Sequence, residues 1–204
     1  MVNRDAQRVI ESRLGREAVP ERFLARNLPA KLTKDADNQA GREACKRFVD
    51  SLRHGLPYWL GLAGPTGAGK STLAGQLLAE LARRGALRTY LWATTPRALE
   101  ELRRKDDGIN AAYRQAQVLV LDDFGLESRA EWDEALLFEL LCHRYDERLS
   151  LVLCGNESPF EVFARWREPY RAAALIDRLN EMGEVALLLG DSRRNPRGMK
   201  GTRA

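Results

Sequence analysis

The chain has 204 residues, 44% hydrophobic and 30% charged. That suits one domain of ordinary size with a packed core, and it is too much charge for a membrane protein. No uncharged apolar run approaches the ~20 residues of a membrane helix, and MVNRDAQRVIESRLGRE carries charges where a signal peptide needs its apolar core; a cytoplasmic protein is expected.

The net charge is +4, and the surplus sits at one end. The last fourteen residues, DSRRNPRGMKGTRA, hold five basic residues and one acid, leaving 28 of each in the body. Such a tail either touches nucleic-acid phosphate or is a solvated, disordered end. Cys45, Cys142 and Cys154 are scattered and odd in number. They make neither a metal-ligand spacing nor a disulfide framework, so buried free thiols are expected.

Residues 1–38 are polar, broken at Pro20, with helix signals near Asp5 to Leu14. They read as a short helical or linker segment before a domain spanning 39–190, with 191–204 as the tail. Residues 33–41 read as a loop and 42–53 as a helix. PYWLGLAG then reads as a buried strand ending in glycine. Leu73, Leu77, Leu78 and Leu81 mark the apolar face of the next helix, and Gly85 stops it. A second strand is expected over 88–93. Thr95-Pro96 reads as the start of a helix, with the threonine as cap and Leu99 and Leu102 facing the core.

QVLVL, 117–121, is an aliphatic run of the kind buried on both faces. Ser128-x-x-Glu131 reads as a capping box opening a helix to about Glu147. Strands over 149–155 and 184–190 flank a helix over 171–182. Strands alternating with helices predict an α/β fold with a five-stranded parallel sheet and helices on both faces.

One stretch carries clear chemistry. Gly64-Pro65-Thr66-Gly67-Ala68-Gly69-Lys70-Ser71 matches G-x-x-x-x-G-K-[ST], with Thr72 after it, between a predicted strand and a predicted helix. The glycines let the backbone wrap closely and aim N–H groups inward, and a helix N-terminus adds positive partial charge. Lys70 would reach the β and γ phosphates of ATP, and the Ser71 hydroxyl would bind Mg2+.

Asp122 and Asp123 end the QVLVL strand, at the edge where open α/β sheets bind ligands. Asp122 would hold Mg2+ through water, and Asp123 would polarise the attacking water as general base. Glutamate is the commoner residue in that second role, and aspartate is one methylene shorter, so slow hydrolysis is expected. Asn156, ending the fourth strand, would position the lytic water or sense the γ-phosphate; otherwise it starts a turn.

These residues carry a resemblance. From about Val19 to Arg194 the chain resembles the DnaC-type bacterial helicase loaders and the related IstB-type transposition ATPases, both of the AAA+ group of P-loop proteins. Val19-Pro-Glu-Arg-Phe23 resembles the segment before their ATPase core. GPTGAGKST resembles Walker A, VLVLDDFG Walker B, and His143-Arg-Tyr145 their basic-aromatic helix end. CGNESP resembles sensor 1, Ile176-Asp-Arg178-Leu the arginine-finger helix, and Gly190-Asp-Ser-Arg-Arg194 the closing G-x-S-x-R. The phosphate loop alone is shared by many families, whereas the ordered set is specific.

The resemblance implies a three-layer fold with a minimal or absent C-terminal lid. It also implies that Arg178 reaches the γ-phosphate of a neighbouring subunit in a ring or spiral, and that Arg194 serves nucleotide binding. Taken alone, Asp177-Arg178 is equally a surface pair. The family binds single-stranded DNA between its second and third strands. Here Arg97, Arg103, Arg104 and Lys105 would track the backbone and Tyr113 would stack on a base, unless they form a solvated helix face. The loaders carry a separate N-terminal helicase-binding domain, and with some 18 residues before Val19 any helicase contact is expected to fall to a short helix.

The leading expectation is an ATPase that loads a replicative helicase onto single-stranded DNA. The alternatives are a transposition helper on duplex DNA, a small-molecule kinase, and an adaptor that binds nucleotide without hydrolysing it.

Overall fold

The computed structural model describes residues 38–126 and 131–189. The Val19–Phe23 segment, Ser128 of the expected capping box, Arg194 and the basic tail lie outside the described residues. The elements run α1 (Gln39–Arg53), β1 (Trp59–Ala63), α2 (Lys70–Arg83), β2 (Tyr90–Thr94), α3 (Thr95–Arg103), α4 (Asp107–Gln115), β3 (Val118–Phe124), α5 (Glu131–Asp146), β4 (Ser150–Gly155), α6 (Pro159–Phe163), α7 (Pro169–Met182) and β5 (Gly183–Leu187). The five strands form one parallel sheet in the order β2-β3-β4-β1-β5.

Each central strand divides its side chains between two cores, because successive residues point to opposite faces. Leu119, Leu121, Leu151 and Leu153 pack toward α3–α7. Val118, Val120, Val152 and Cys154 pack toward α1 and α2. Burial on both faces is why these strands read as unbroken aliphatic runs. The leucine face expected of α2 is buried as a unit, with Leu73, Leu77, Leu78 and Leu81 at most 2% exposed. Among the described residues, no helix is long and apolar enough to cross a membrane.

The structure corrects several local expectations. Thr94, not Thr95, is the N-cap of α3, and it makes no side-chain capping bond. Thr95 is the first helical residue, and its hydroxyl donates to the Asp122 carbonyl at 3.0 Å. The segment between β2 and β3 is two helices, the second capped by Asp106, which accepts from the Ile109 N–H at 2.9 Å. Cys154 is buried, but Cys45 and Cys142 are only half-buried. Burial, aided by Glu184, pushes the Cys45 thiol up to about 12, so it is unreactive near neutrality.

Candidate nucleotide site

In a parallel sheet all strand ends of one polarity share an edge, and here that edge collects the expected site. β4 runs between β1 and β3. The phosphate loop leaves β1, the two aspartates end β3, and Asn156 follows β4 between them. The loop's first turn depends on Gly64, at φ 146, where a Cβ would lie 2.3 Å from the Leu188 carbonyl oxygen. Gly69 caps α2 in the left-handed region at φ 99, aiming the helix N-terminus at the loop. Ala68 is buried, and Thr72 lies in the first turn of α2.

The side chains converge. Lys70 Nζ donates to the carbonyls of Gly64 (2.7 Å) and Pro65 (2.9 Å) and to Asn156 Oδ1 (3.1 Å). Thr66 Oγ1 lies 3.5 Å from the same Asn156 oxygen. Ser71 Oγ donates to Asp122 Oδ1 at 3.0 Å. Burial raises the Asp122 carboxyl above its ordinary value; the bonds from the Ser71 hydroxyl and the Asp123 N–H and the charge of Lys70 oppose that, while the Asp123 charge adds to it. A hydroxyl and a half-buried carboxylate are hard oxygen donors, and a nearby cation would relieve the burial of that charge. The site therefore fits a Mg2+–nucleotide. Among the described residues no group of three or more His, Cys, Asp or Glu gathers as a self-contained metal cage. Mg2+ on phosphates needs none, because it keeps waters and takes one or two protein oxygens.

The sequence did not announce how the two aspartates are presented. The β3–β4 register shifts between Leu121 and Phe124, a bulge that spans Asp122 and Asp123. Asp123 sits in it at φ 54, exposed, with its N–H on Asp122 Oδ1 at 3.1 Å. Bulges recur beside active sites because they re-aim a side chain, and a non-glycine left-handed residue is strained. Asn38 was also missed. It is wholly buried, and its Nδ2 donates to the Ala68 carbonyl at 3.2 Å, bracing the loop from the start of α1. Its place just before the helix was the available signal.

Arg178 is not brought to this subunit's phosphate loop. Its guanidinium lies 5.0 Å from the Tyr145 ring centroid, and Nη1 donates to the Ala174 carbonyl at 3.1 Å. Tyr145 packs edge-on against Trp59, where β1 begins, whereas the loop lies where β1 ends. The expected DNA-tracking segment is partly corrected. Tyr113 is 0% exposed and its hydroxyl donates to Glu101 Oε2 at 2.6 Å, so it offers no face to a base. Arg97 pairs with Glu101 at 3.0 Å, Arg103 with the buried Asp133, and Arg104 with Glu100. Lys105 is exposed, at φ 53 beyond the end of α3.

Comparison with known proteins agrees with this geometry. The family described as IstB-like ATP binding protein matches residues 22–200. An insertion-sequence ATP-binding protein of Mycobacterium tuberculosis is 32% identical over 138 residues, 65% of this chain and 54% of that protein. An IS21-like ATP-binding protein of Bacteroides fragilis is 31% identical over 193 residues, 88% of this chain and 71% of that protein. The chain thus spans between about half and about seven-tenths of these relatives. Among solved structures, DnaI superposes with a TM-score of 0.67 at 22% identity, over 88% of this chain and 93% of that one. The DnaC helicase loader superposes at 0.59 and 22%, over 76% and 92%. At these identities the structures speak for the fold, a P-loop AAA+ sheet. By the extent of the family match, the chain belongs to the IstB-like ATP-binding proteins.

Proposed function

We propose that this protein is a slow ATPase that assists the DNA transactions of an insertion sequence, gripping duplex DNA and assembling through nucleotide-bearing subunit interfaces. The observation that carries the reading is the presence of two side-chain pairs at one sheet edge, Lys70 with Asn156 at 3.1 Å and Ser71 with Asp122 at 3.0 Å. The insertion-sequence relatives favour transposition over helicase loading as the setting.

In this reading the loop amides and Lys70 hold the β and γ phosphates, and Ser71 and Asp122 hold Mg2+. The bound Mg2+ supplies charge neutralisation on the phosphates. Asp123, projecting from the bulge, would take the proton of the attacking water as its oxygen bonds the γ-phosphorus and the β–γ anhydride bond breaks to release ADP, and Asn156 would orient that water. Arg178 of a neighbouring subunit stabilises the charge developing on the transferred phosphoryl group; within one subunit it faces the wrong end of β1 to do so.

The test is ATP hydrolysis by the purified protein with no DNA, single-stranded DNA or duplex DNA at one fixed salt concentration. Stimulation by duplex supports the proposal. Preferential stimulation by single strands turns the reading to helicase loading. ATP turnover indifferent to DNA, with the phosphoryl group passed to a small acceptor instead of water, would make the protein a kinase.

A further inference from the structure

At the edge of the sheet opposite the nucleotide site lies a concavity of about 380 Å³. Its walls precede β1, β2 and β4, whereas the phosphate loop and Asn156 follow strands and the aspartates end one. Arg53, Arg84, Arg88 and Arg148 line it, and no acidic residue does.

Three helices, α1, α2 and α5, end here in the same turn. At the first, the Gly55 N–H bonds the Leu52 carbonyl and the Leu56 N–H bonds the Ser51 carbonyl, both at 3.0 Å. Gly85 and Ala86 repeat the pattern on Ala82 and Leu81, and Arg148 and Leu149 repeat it on Tyr145 and Arg144. The turn needs a left-handed residue, and the three are Gly55 at φ 75, Gly85 at φ 66 and Arg148 at φ 50. Glycine is the favoured residue there because a Cβ is penalised. The third turn thus carries an arginine where the backbone prefers glycine.

The arginines differ in their surroundings. Arg84 pairs with Glu80 at 2.5 Å, and Arg53 lies 3.6 Å from Asp50. Both also complement the partial negative charge of a helix C-terminus. Neither account covers the other two fully. Among the described residues Arg88 and Arg148 meet no carboxylate, and Arg88 follows no helix end directly; its backbone N–H bonds Gln117 Oε1 at 2.6 Å. Both side chains are exposed at the concavity. The planar guanidinium fork matches phosphate oxygens two at a time.

We infer that this arginine-lined concavity is a second contact for the DNA sugar–phosphate backbone, at the edge of the sheet remote from the nucleotide site. The inference rests on the duplex-DNA reading above. Backbone contacts of this kind add affinity and salt dependence without reading sequence.

The test compares wild type with an Arg88→Ala/Arg148→Gly variant. Duplex DNA binding is followed by fluorescence anisotropy across salt concentrations, beside basal hydrolysis without DNA and the melting temperature. The variant is expected to melt no lower than wild type, since Arg148→Gly installs the residue the turn prefers, and to hydrolyse ATP at the basal rate. Its log K against log salt should be shallower by about 2, with affinity at ~0.1 M salt down about tenfold or more. Wild-type affinity and slope in the variant overturn the inference and leave the proposed function standing. If wild type itself binds no duplex DNA, both readings fall. A variant that keeps DNA but loses an acidic protein partner also overturns it.

Discussion

Ser71 Oγ and Asp122 Oδ1 lie 3.0 Å apart, joining the first turn of α2 to the bulge of β3. The two residues are 51 positions apart, and the strands that deliver them, β1 ahead of the phosphate loop and β3, are separated in the sheet by β4. Their contact is what turns two local motifs into one site, and it sets the first expectation.

Asp122→Asn should stabilise the fold and abolish the chemistry. Burial raises the Asp122 carboxyl above its ordinary 3.8. The native state therefore holds that proton more tightly than the unfolded chain, and stability falls as pH rises from the unfolded value through the raised one. Asparagine keeps the acceptor for Ser71 and removes the buried charge. The variant is expected to melt higher than wild type at pH 7 without nucleotide, with the difference gone below about pH 4. Hydrolysis should drop by about 100-fold or more. Calorimetry at the two pH values and a phosphate-release assay check both halves.

Asp123→Asn separates hydrolysis from binding. Asparagine tolerates the left-handed backbone at φ 54, so the fold should persist and ATP affinity stay within about threefold while turnover falls about 100-fold, the lower end of the usual loss for a general base. Unchanged turnover would remove Asp123 as the general base, and a wild type with no turnover would favour the non-hydrolysing adaptor. Asp123→Gly relieves the backbone and should raise stability by up to ~1 kcal/mol, read by denaturant titration.

Arg178→Ala should keep ATP affinity and lose turnover. Lys70→Ala should lose nucleotide binding. Mixing the two inactive proteins then restores part of the activity, because one subunit brings an intact nucleotide site and the other an intact arginine. No recovery in the mixture, or equal loss of affinity and turnover in Arg178→Ala, sinks the trans assignment. Loss of the contact with Tyr145 alone should cost only about 0.5–1 kcal/mol of stability.

Arg144→Met should destabilise the protein by about 3 kcal/mol or more, since it strands several buried carbonyls. Arg144 is 0% exposed, and its guanidinium donates to the carbonyls of Tyr113 (2.8 Å), Ala116 (2.9 Å) and Ser150 (2.5 Å). Burial pulls it down to about 9, still cationic at neutral pH. Urea unfolding is the measurement; a loss under about 1 kcal/mol would mean that waters replace those bonds.

The strands and the phosphate loop were legible because their signals are local: aliphatic runs bounded by glycine, and a motif whose spacing encodes one loop. What was not legible depended on partners distant in sequence. Tyr113 reads as an exposed aromatic in a charged segment until α4 turns Ala112, Tyr113 and Ala116 toward the core. Arg144 continues the stripe of Leu137, Leu140 and Leu141, so helical spacing marked its position as buried while its charge argued the reverse. The bulge at Asp122 and Asp123 left no trace in the residue pattern, since a register shift belongs to two strands and not to one.

The strand order has a consequence for how the protein is made. β1 pairs only with β4 and β5, which begin at Ser150 and Gly183. The Leu188 N–H bonds the Ala63 carbonyl at 2.7 Å, and the Leu188 carbonyl packs over Gly64. During synthesis from the N-terminus, β1 emerges first among the strands yet waits for the last to be flanked on both sides. Native nucleotide binding therefore waits until β5 has emerged, and a nascent chain that stalls before β5 carries the phosphate-loop sequence without the neighbour that shapes it.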